Sequence, residues 1–79
     1  MTVRLFAALR ESVGRSDVAL ELPEGATPED AFRSLADRLP ALRERRAHLS
    51  AAVNRRYASF DARLREGDEV VFIPPVSGG

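Results

Sequence analysis

The run Val70-Val71-Phe72-Ile73-Pro74-Pro75-Val76-Ser77-Gly78-Gly79 constrains this chain more than any other stretch. Four consecutive apolar residues read as a buried strand. Pro74 and Pro75 then stop it, because neither has an amide proton to give to a neighbouring strand. Each proline also biases the residue before it towards extended geometry. The segment from Pro74 to Gly79 is therefore expected to leave the domain as a stiff arm, loosened only at its glycines. At full extension it reaches on the order of 20 Å. Gly78 and Gly79 have no Cβ, so a narrow channel in a partner could admit them and present the terminal carboxylate. An unhindered glycine carboxylate is open to attack from either face, as acyl transfer through an adenylate requires. Glycine-rich chain ends are commonly just frayed. The rigid spacer placed directly after a buried strand sets this tail apart from that reading.

A chain of 79 residues makes one domain with a thin core. The expected division is a folded body, residues 1–73, and an extended tail, residues 74–79. Twelve basic and twelve acidic residues cancel, so net charge does not point to nucleic acid. No apolar run is long enough to cross a membrane, and the start is strand-like where a signal peptide would be apolar. The expected location is the cytoplasm. There is no cysteine, which excludes a thiolate nucleophile, a disulfide framework and a cysteine zinc site. His48 alone cannot build an imidazole metal site, so no metal is expected, and it reads as a surface or helix-end residue. All twelve basic residues are arginine. Compositional bias accounts for this most simply. Its chemical consequence is that an activated carboxylate on this chain meets no side-chain amine.

Thr2 to Ala7 alternates with period two, placing Val3, Leu5 and Ala7 on one face and Arg4 and Phe6 on the other. Ala8 to Val13 reads as a short helical turn capped at Gly14. Asp17 to Leu22 alternates again, and a short connection between two strands implies an antiparallel pair. Pro23-Glu24-Gly25 is a turn. Thr27-Pro28-Glu29-Asp30 is a strong helix start, with Thr27 as cap, Pro28 in the first helical position and acids at the positive end of the dipole. Ala31, Phe32, Leu35, Ala36 and Leu39 form one apolar stripe, ended by Pro40. Ala41 to Leu49 is basic and less regular. Arg43, Arg45 and Arg46 resemble a phosphate patch, but the interspersed Glu44 favours a solvated face. Ala51 to Asn54 is a short strand, Asn54-Arg55-Arg56 a turn before Tyr57, and Phe60 and Leu64 are core candidates. Arg65-Glu66-Gly67-Asp68 turns into the final strand, with Gly67 free to take positive φ.

Hairpin, helix, short strands and a last strand, with ample chain for a crossover, imply a last strand lying parallel beside the first and one helix across the sheet. That is an α+β fold of the β-grasp type, with a mixed sheet of four to five strands. If Val3, Leu5, Val70 and Phe72 face the helix, Phe6 and Ile73 face outward. With Tyr57 they form a candidate docking patch at the root of the tail.

These residues resemble the small, sulfur-carrying subunit of molybdopterin synthase, a ubiquitin-like family, almost end to end. The likeness runs through Phe6-Ala7-Ala8-Leu9-Arg10-Glu11, Leu22-Pro23-Glu24-Gly25-Ala26-Thr27 and Ala52-Val53-Asn54 with Tyr57. It is sharpest in Leu64-Arg65-Glu66-Gly67-Asp68-Glu69-Val70 and in Phe72-Ile73-Pro74-Pro75-Val76-Ser77-Gly78-Gly79. The resemblance implies that an E1-like adenylating enzyme uses ATP to convert the Gly79 carboxylate into an acyl-adenylate. A sulfur donor protein then displaces AMP to leave a thiocarboxylate. The tail enters the large synthase subunit, in a heterotetramer, and gives its sulfur to cyclic pyranopterin monophosphate to form molybdopterin. In this scheme the chain is a sulfur-donating co-substrate outside the catalytic core and binds no cofactor of its own. Gly79 carries the sulfur, Gly78 gives passage, Pro74, Pro75, Val76 and Ser77 form the arm, and Phe6, Tyr57 and Ile73 meet the large subunit.

Two rivals stand beside this reading. One keeps the carrier chemistry and changes the acceptor to thiamine thiazole, a tRNA base or a protein lysine. The other is a non-catalytic β-grasp interaction domain with a frayed tail.

Overall fold

The computed structural model describes residues 1–7, 17–38 and 40–75. Its elements in chain order are β1 (Thr2–Ala7), β2 (Asp17–Glu21), α1 (Pro28–Arg38), a 3-10 helix (Pro40–His48), β3 (Ser50–Val53), β4 (Arg56–Ala58) and β5 (Glu69–Ile73). The helical turn expected over Ala8–Val13, with its cap at Gly14, lies outside the described residues, as does Leu39.

The strands form one sheet in the order β2-β1-β5-β3-β4. β1 is antiparallel to β2, and β5 runs parallel to β1 with Leu5 opposite Val70 and Ala7 opposite Phe72. On its other side β5 is antiparallel to β3, with Ala51 opposite Phe72 and Val53 opposite Val70. The last strand is thus central, as its four-residue apolar run requires. This is a ubiquitin-like β-grasp with a mixed five-strand sheet and one main helix.

Period-two alternation sends Val3, Leu5, Leu20, Val70, Phe72 and Ala51 into the core with Phe32 and Leu35 of α1. Phe72 is fully buried. Its ring meets Phe32 edge-on at 5.4 Å and stacks on Phe60 at 5.8 Å. Burying one side chain of this size stabilises by about 1.5–3 kcal/mol.

Thr27 caps α1 as its sequence implies. Its hydroxyl accepts the Asp30 amide at 3.3 Å, while the Asp30 carboxylate accepts the Thr27 amide at 3.0 Å. This is a capping box with aspartate in the place usually held by glutamate. The irregular stretch after Pro40 proves to be a nine-residue 3-10 helix. It is pinned by the fully buried Leu42 and by Arg46. The Arg46 guanidinium donates from Nε and Nη2 to Glu29 Oε1 at 2.7 and 2.5 Å and lies 3.4 Å from the Phe60 ring centroid. A planar cation is needed to do both.

The turn Asn54-Arg55 joins β3 to β4 with positive φ at both residues, 51° and 72°. Matching the right-handed strand twist with two residues demands such a turn, for which Asn-Gly is the favoured pair. Arginine at the second position is strained there. Arg55→Gly is therefore expected to raise stability by about 0.5–1 kcal/mol. Urea unfolding would read this as a higher midpoint at unchanged slope, and a lower midpoint would contradict it.

Candidate functional site

The site is the outward face of the sheet where β5 hands over to the tail. Residues paired across strands share a face, and the register aligns Phe6 with Val71, Val71 with Ala52, and Ala52 with Tyr57. One apolar row thus crosses β1, β5, β3 and β4, about 14 Å at the usual strand spacing. Ile73 stands on the same face two residues beyond Val71, opposite Ser50. Pro74 and Pro75 follow, both exposed.

Exposure agrees with this geometry. Phe6, Val71 and Ile73 are half-buried. Tyr57 is 79% exposed, the one large apolar side chain so displayed among the described residues. Ala52 is 7% exposed yet absent from the cluster of core residues. Its register partners on either side are the larger Val71 and Tyr57, so it is the low point of the row. On the side away from the tail the row is bounded by Arg4, register partner of Glu69, so polar residues end the apolar surface there.

The sequence places Phe6, Tyr57 and Ile73 in a patch, and the structure brings all three to one face. It adds Val71 and Ala52, which join them into one surface. The alternation of β5 already gives Val71 the same facing as Ile73. The Ala52 contribution depends on cross-strand register, which the sequence does not display. Val76, Ser77, Gly78 and Gly79 lie outside the described residues.

A hydrogen-bonded bracket fixes where β5 begins, and hence where the tail leaves. Asn54 Nδ2 donates to Asp68 Oδ1 at 2.9 Å, and Asn54 Oδ1 accepts the Glu69 amide at 3.0 Å. Asp68 Oδ2 accepts the Arg65 amide at 2.8 Å, and Gly67, at φ 84°, donates its amide to Thr2 O at 2.8 Å. These contacts tie the β3–β4 turn and the start of β1 to the entry of β5. They account for Asn54 and for Gly67-Asp68-Glu69 as one structural unit.

One concavity lies against α1. It is a cleft of about 450 Å³ between α1 and the 3-10 helix, floored by Phe32 and Ala36. Its rim charges answer one another: Glu29 binds Arg46 and lies 3.8 Å from Arg33, and Arg43 donates to Asp37 at 3.1 Å. Arg43 and Arg46 therefore face carboxylates, as a solvated, ion-paired surface requires. Among the described residues no group of three or more acidic, histidine or cysteine side chains could hold a metal ion. No described helix is long and apolar enough to cross a membrane.

Comparison with known proteins agrees with this architecture. The model of the ThiS family matches residues 3–79. The molybdopterin synthase sulfur carrier subunit of Escherichia coli is 42% identical over 79 residues, covering 98% of this chain and 96% of that protein. Its counterpart in Arabidopsis thaliana is 38% identical over 77 residues, covering 98% and 80%. Small archaeal modifier protein 1 of Haloferax volcanii is 33% identical over 87 residues and matches all of both chains. A crystal structure of SAMP1 from the same organism superposes with a TM-score of 0.86 at 28% identity, again over all of both chains. At the level of fold alone, so does a chain in the complex of subunits 1 and 2 of the molybdopterin-converting factor from Helicobacter pylori. There the TM-score is 0.68 at 19% identity, with both chains covered in full.

Because Tyr57 is so exposed, Tyr57→Ala is expected to change stability by less than about 0.5 kcal/mol. Thermal unfolding would test this, and a loss of several degrees would show that the ring belongs to the core and not to the patch. A chain matched over residues 3–79 by the family model, and over nearly its whole length by sulfur carrier subunits, belongs to the ThiS family.

Proposed function

We propose that this chain is the sulfur carrier of a molybdopterin synthase, in which the body, residues 1–73, docks and the arm, residues 74–79, reacts. The observation that carries the reading is the position of β5. The strand that anchors the core is also the one that runs, without an intervening loop, into Pro74 and Pro75 beside the apolar row. A partner seated on Phe6, Val71, Ala52 and Tyr57 would find the arm issuing from the edge of its own footprint. The family membership and the names of the relatives support the same reading.

In the proposed reaction a Gly79 carboxylate oxygen attacks the α-phosphorus of ATP in the adenylating enzyme, and pyrophosphate leaves. Hydrosulfide delivered by a sulfur donor protein attacks the acyl carbon, and AMP and a proton leave, which yields the thiocarboxylate. In the large subunit that sulfur forms a bond to a carbon of the cyclic pyranopterin monophosphate and displaces an oxygen substituent, the phosphate ester oxygen in one transfer and water in the other. Water cleaves the acyl–sulfur bond and restores the carboxylate, and two such transfers complete the dithiolene. The folded body contributes no acid, base or metal to these steps. It supplies a docking face and a fixed point of departure for the arm.

The test is the intact mass of the chain after incubation with the adenylating enzyme, ATP and a sulfur donor. Exchange of one oxygen for sulfur at Gly79 is expected. An unchanged mass, with the enzyme active on another carrier, would refute the carrier role.

The docking half has its own test. Val71→Asp places a charge in the middle of the apolar row without touching the core. Buried charge without a partner is costly, so affinity for the large subunit is expected to fall by at least roughly a hundredfold. Titration calorimetry on the folded variant measures it, and unchanged affinity would move the interface elsewhere.

The likeness to small archaeal modifier protein 1 favours a second reading, in which the activated carboxylate is transferred to a protein amine. It predicts amide-linked products in place of the thiocarboxylate.

A further inference from the structure

Both readings leave one feature unused: the chain contains neither lysine nor cysteine. We propose that it is a one-way acyl donor, able to be activated at Gly79 but with no side-chain amine through which it could become a stable amide acceptor for its own or a sister copy's activated end. The inference rests on the proposed activation. It concerns what happens to the acyl-adenylate when no sulfur nucleophile is present.

Capture of the adenylate by an amine forms a C–N bond, breaks the acyl–phosphate bond and releases AMP and a proton. The attacking nitrogen must be unprotonated. Arginine has a pKa at least about two units above that of lysine, so its neutral fraction near pH 7 is smaller by roughly a hundredfold or more. The twelve arginines of the chain thus offer no competent nitrogen. Arg46 has a packing reason to be arginine, through its two bonds to Glu29 and its stack on Phe60. Arg38, Arg63 and Arg65 are exposed, and nothing in the fold requires a guanidinium there.

One amine remains, the α-amino group of Met1, and the structure shows where it lies. It donates to the Leu22 carbonyl at 2.7 Å and sits 3.8 Å from a Glu21 carboxylate oxygen. Because β1 and β5 run parallel, with Ala7 beside Phe72, this amine is at the end of the sheet opposite the root of the tail. The drop from the level of Ile73 to that of Met1 is about seven residue rises, roughly 23 Å. The six residues from Pro74 to Gly79 span about 20 Å at full stretch. Even a tail doubled straight back along the sheet stops short, so intramolecular closure is out of reach. Attack by a second copy must first free the amine from its partners. The remaining nucleophiles, the Ser, Thr and Tyr57 hydroxyls and His48, give esters or an acyl-imidazole, which hydroxylamine cleaves.

The experiment compares the full chain with a variant carrying Arg38→Lys, Arg63→Lys and Arg65→Lys, three substitutions away from the apolar row and the arm. Each is incubated with the adenylating enzyme and ATP without a sulfur donor, then treated with hydroxylamine and weighed intact. ATP–pyrophosphate exchange is measured in parallel. Equal exchange is expected in both, with hydroxylamine-resistant dimers on the order of tenfold or more abundant in the variant. Peptide mapping should place the new links on the introduced lysines. Equal dimer yields, whether high or nil, would overturn the proposal, because the missing amine would then not be what limits self-acylation. Absence of pyrophosphate exchange in both proteins would instead defeat the carrier reading on which it rests.

Discussion

The contact on which the rest depends is the burial of Phe72 between Phe32 and Phe60. The ring joins the middle of the sheet to α1 on one side and to the loop before β5 on another. Its register partner in β3, Ala51, is a buried alanine, so that strand leaves room for a large ring at this level. Arg46 then closes over the outer face of Phe60 and carries the 3-10 helix with it, through Glu29, to the first turn of α1. One aromatic position thus organises sheet, helix and the long connection between them. It lies two residues before Pro74, and that proximity ties the stability of the fold to the geometry of the arm.

Period two makes the coupling strict. If Val70 and Phe72 are committed to the core, Val71 and Ile73 must face outward, and no local rearrangement can exchange them without turning the whole strand over. The bracket of Asn54, Arg65, Gly67 and Asp68 prevents such a slip by fixing the residue at which β5 starts. The parallel partner β1 does the same from the other side, since Arg4 donates its amide to the Asp68 carbonyl at 2.9 Å. Structural residues far from the patch therefore decide which side chains appear in it.

How much of this is legible in the sequence follows from what kind of signal each feature leaves. β1, α1 and β5 are written locally, in the alternation from Thr2 to Ala7, in Thr27-Pro28-Glu29-Asp30 and in the apolar run before two prolines. The parallel pairing of β1 with β5 follows from connection lengths and handedness. The irregular stretch after Pro40 resists reading because a single buried residue, Leu42, holds it, and one apolar position has no period. Arg46 is equally opaque: within Arg43-Glu44-Arg45-Arg46 nothing distinguishes the arginine that stacks on Phe60 from its exposed neighbours. The row Phe6-Val71-Ala52-Tyr57 is half legible. Facing can be read within each strand, but alignment across four strands is a property of pairing between segments distant in the chain.

The same distribution of signals explains how a domain this small can present a reactive end and remain stable. A chain of this length has little core to spare, so a catalytic constellation of buried charges would weigh heavily on it. Here no charged or polar residue is buried among the described residues. The inward face of β5 is entirely apolar, and its outward face is apolar enough to bind. In the proposed carrier role the chemistry falls to a backbone carboxylate beyond the last strand, where it would make no demand on the core. A reactive group placed outside the folded body, as proposed, would also have its tuning separated from folding. The origin of the tail is set by the bracket at Asp68, and in the proposed complex its surroundings would be set by the partner that covers the row. In that proposed role the fold acts as a ruler and a handle, and the reaction belongs to the partner that would grasp it.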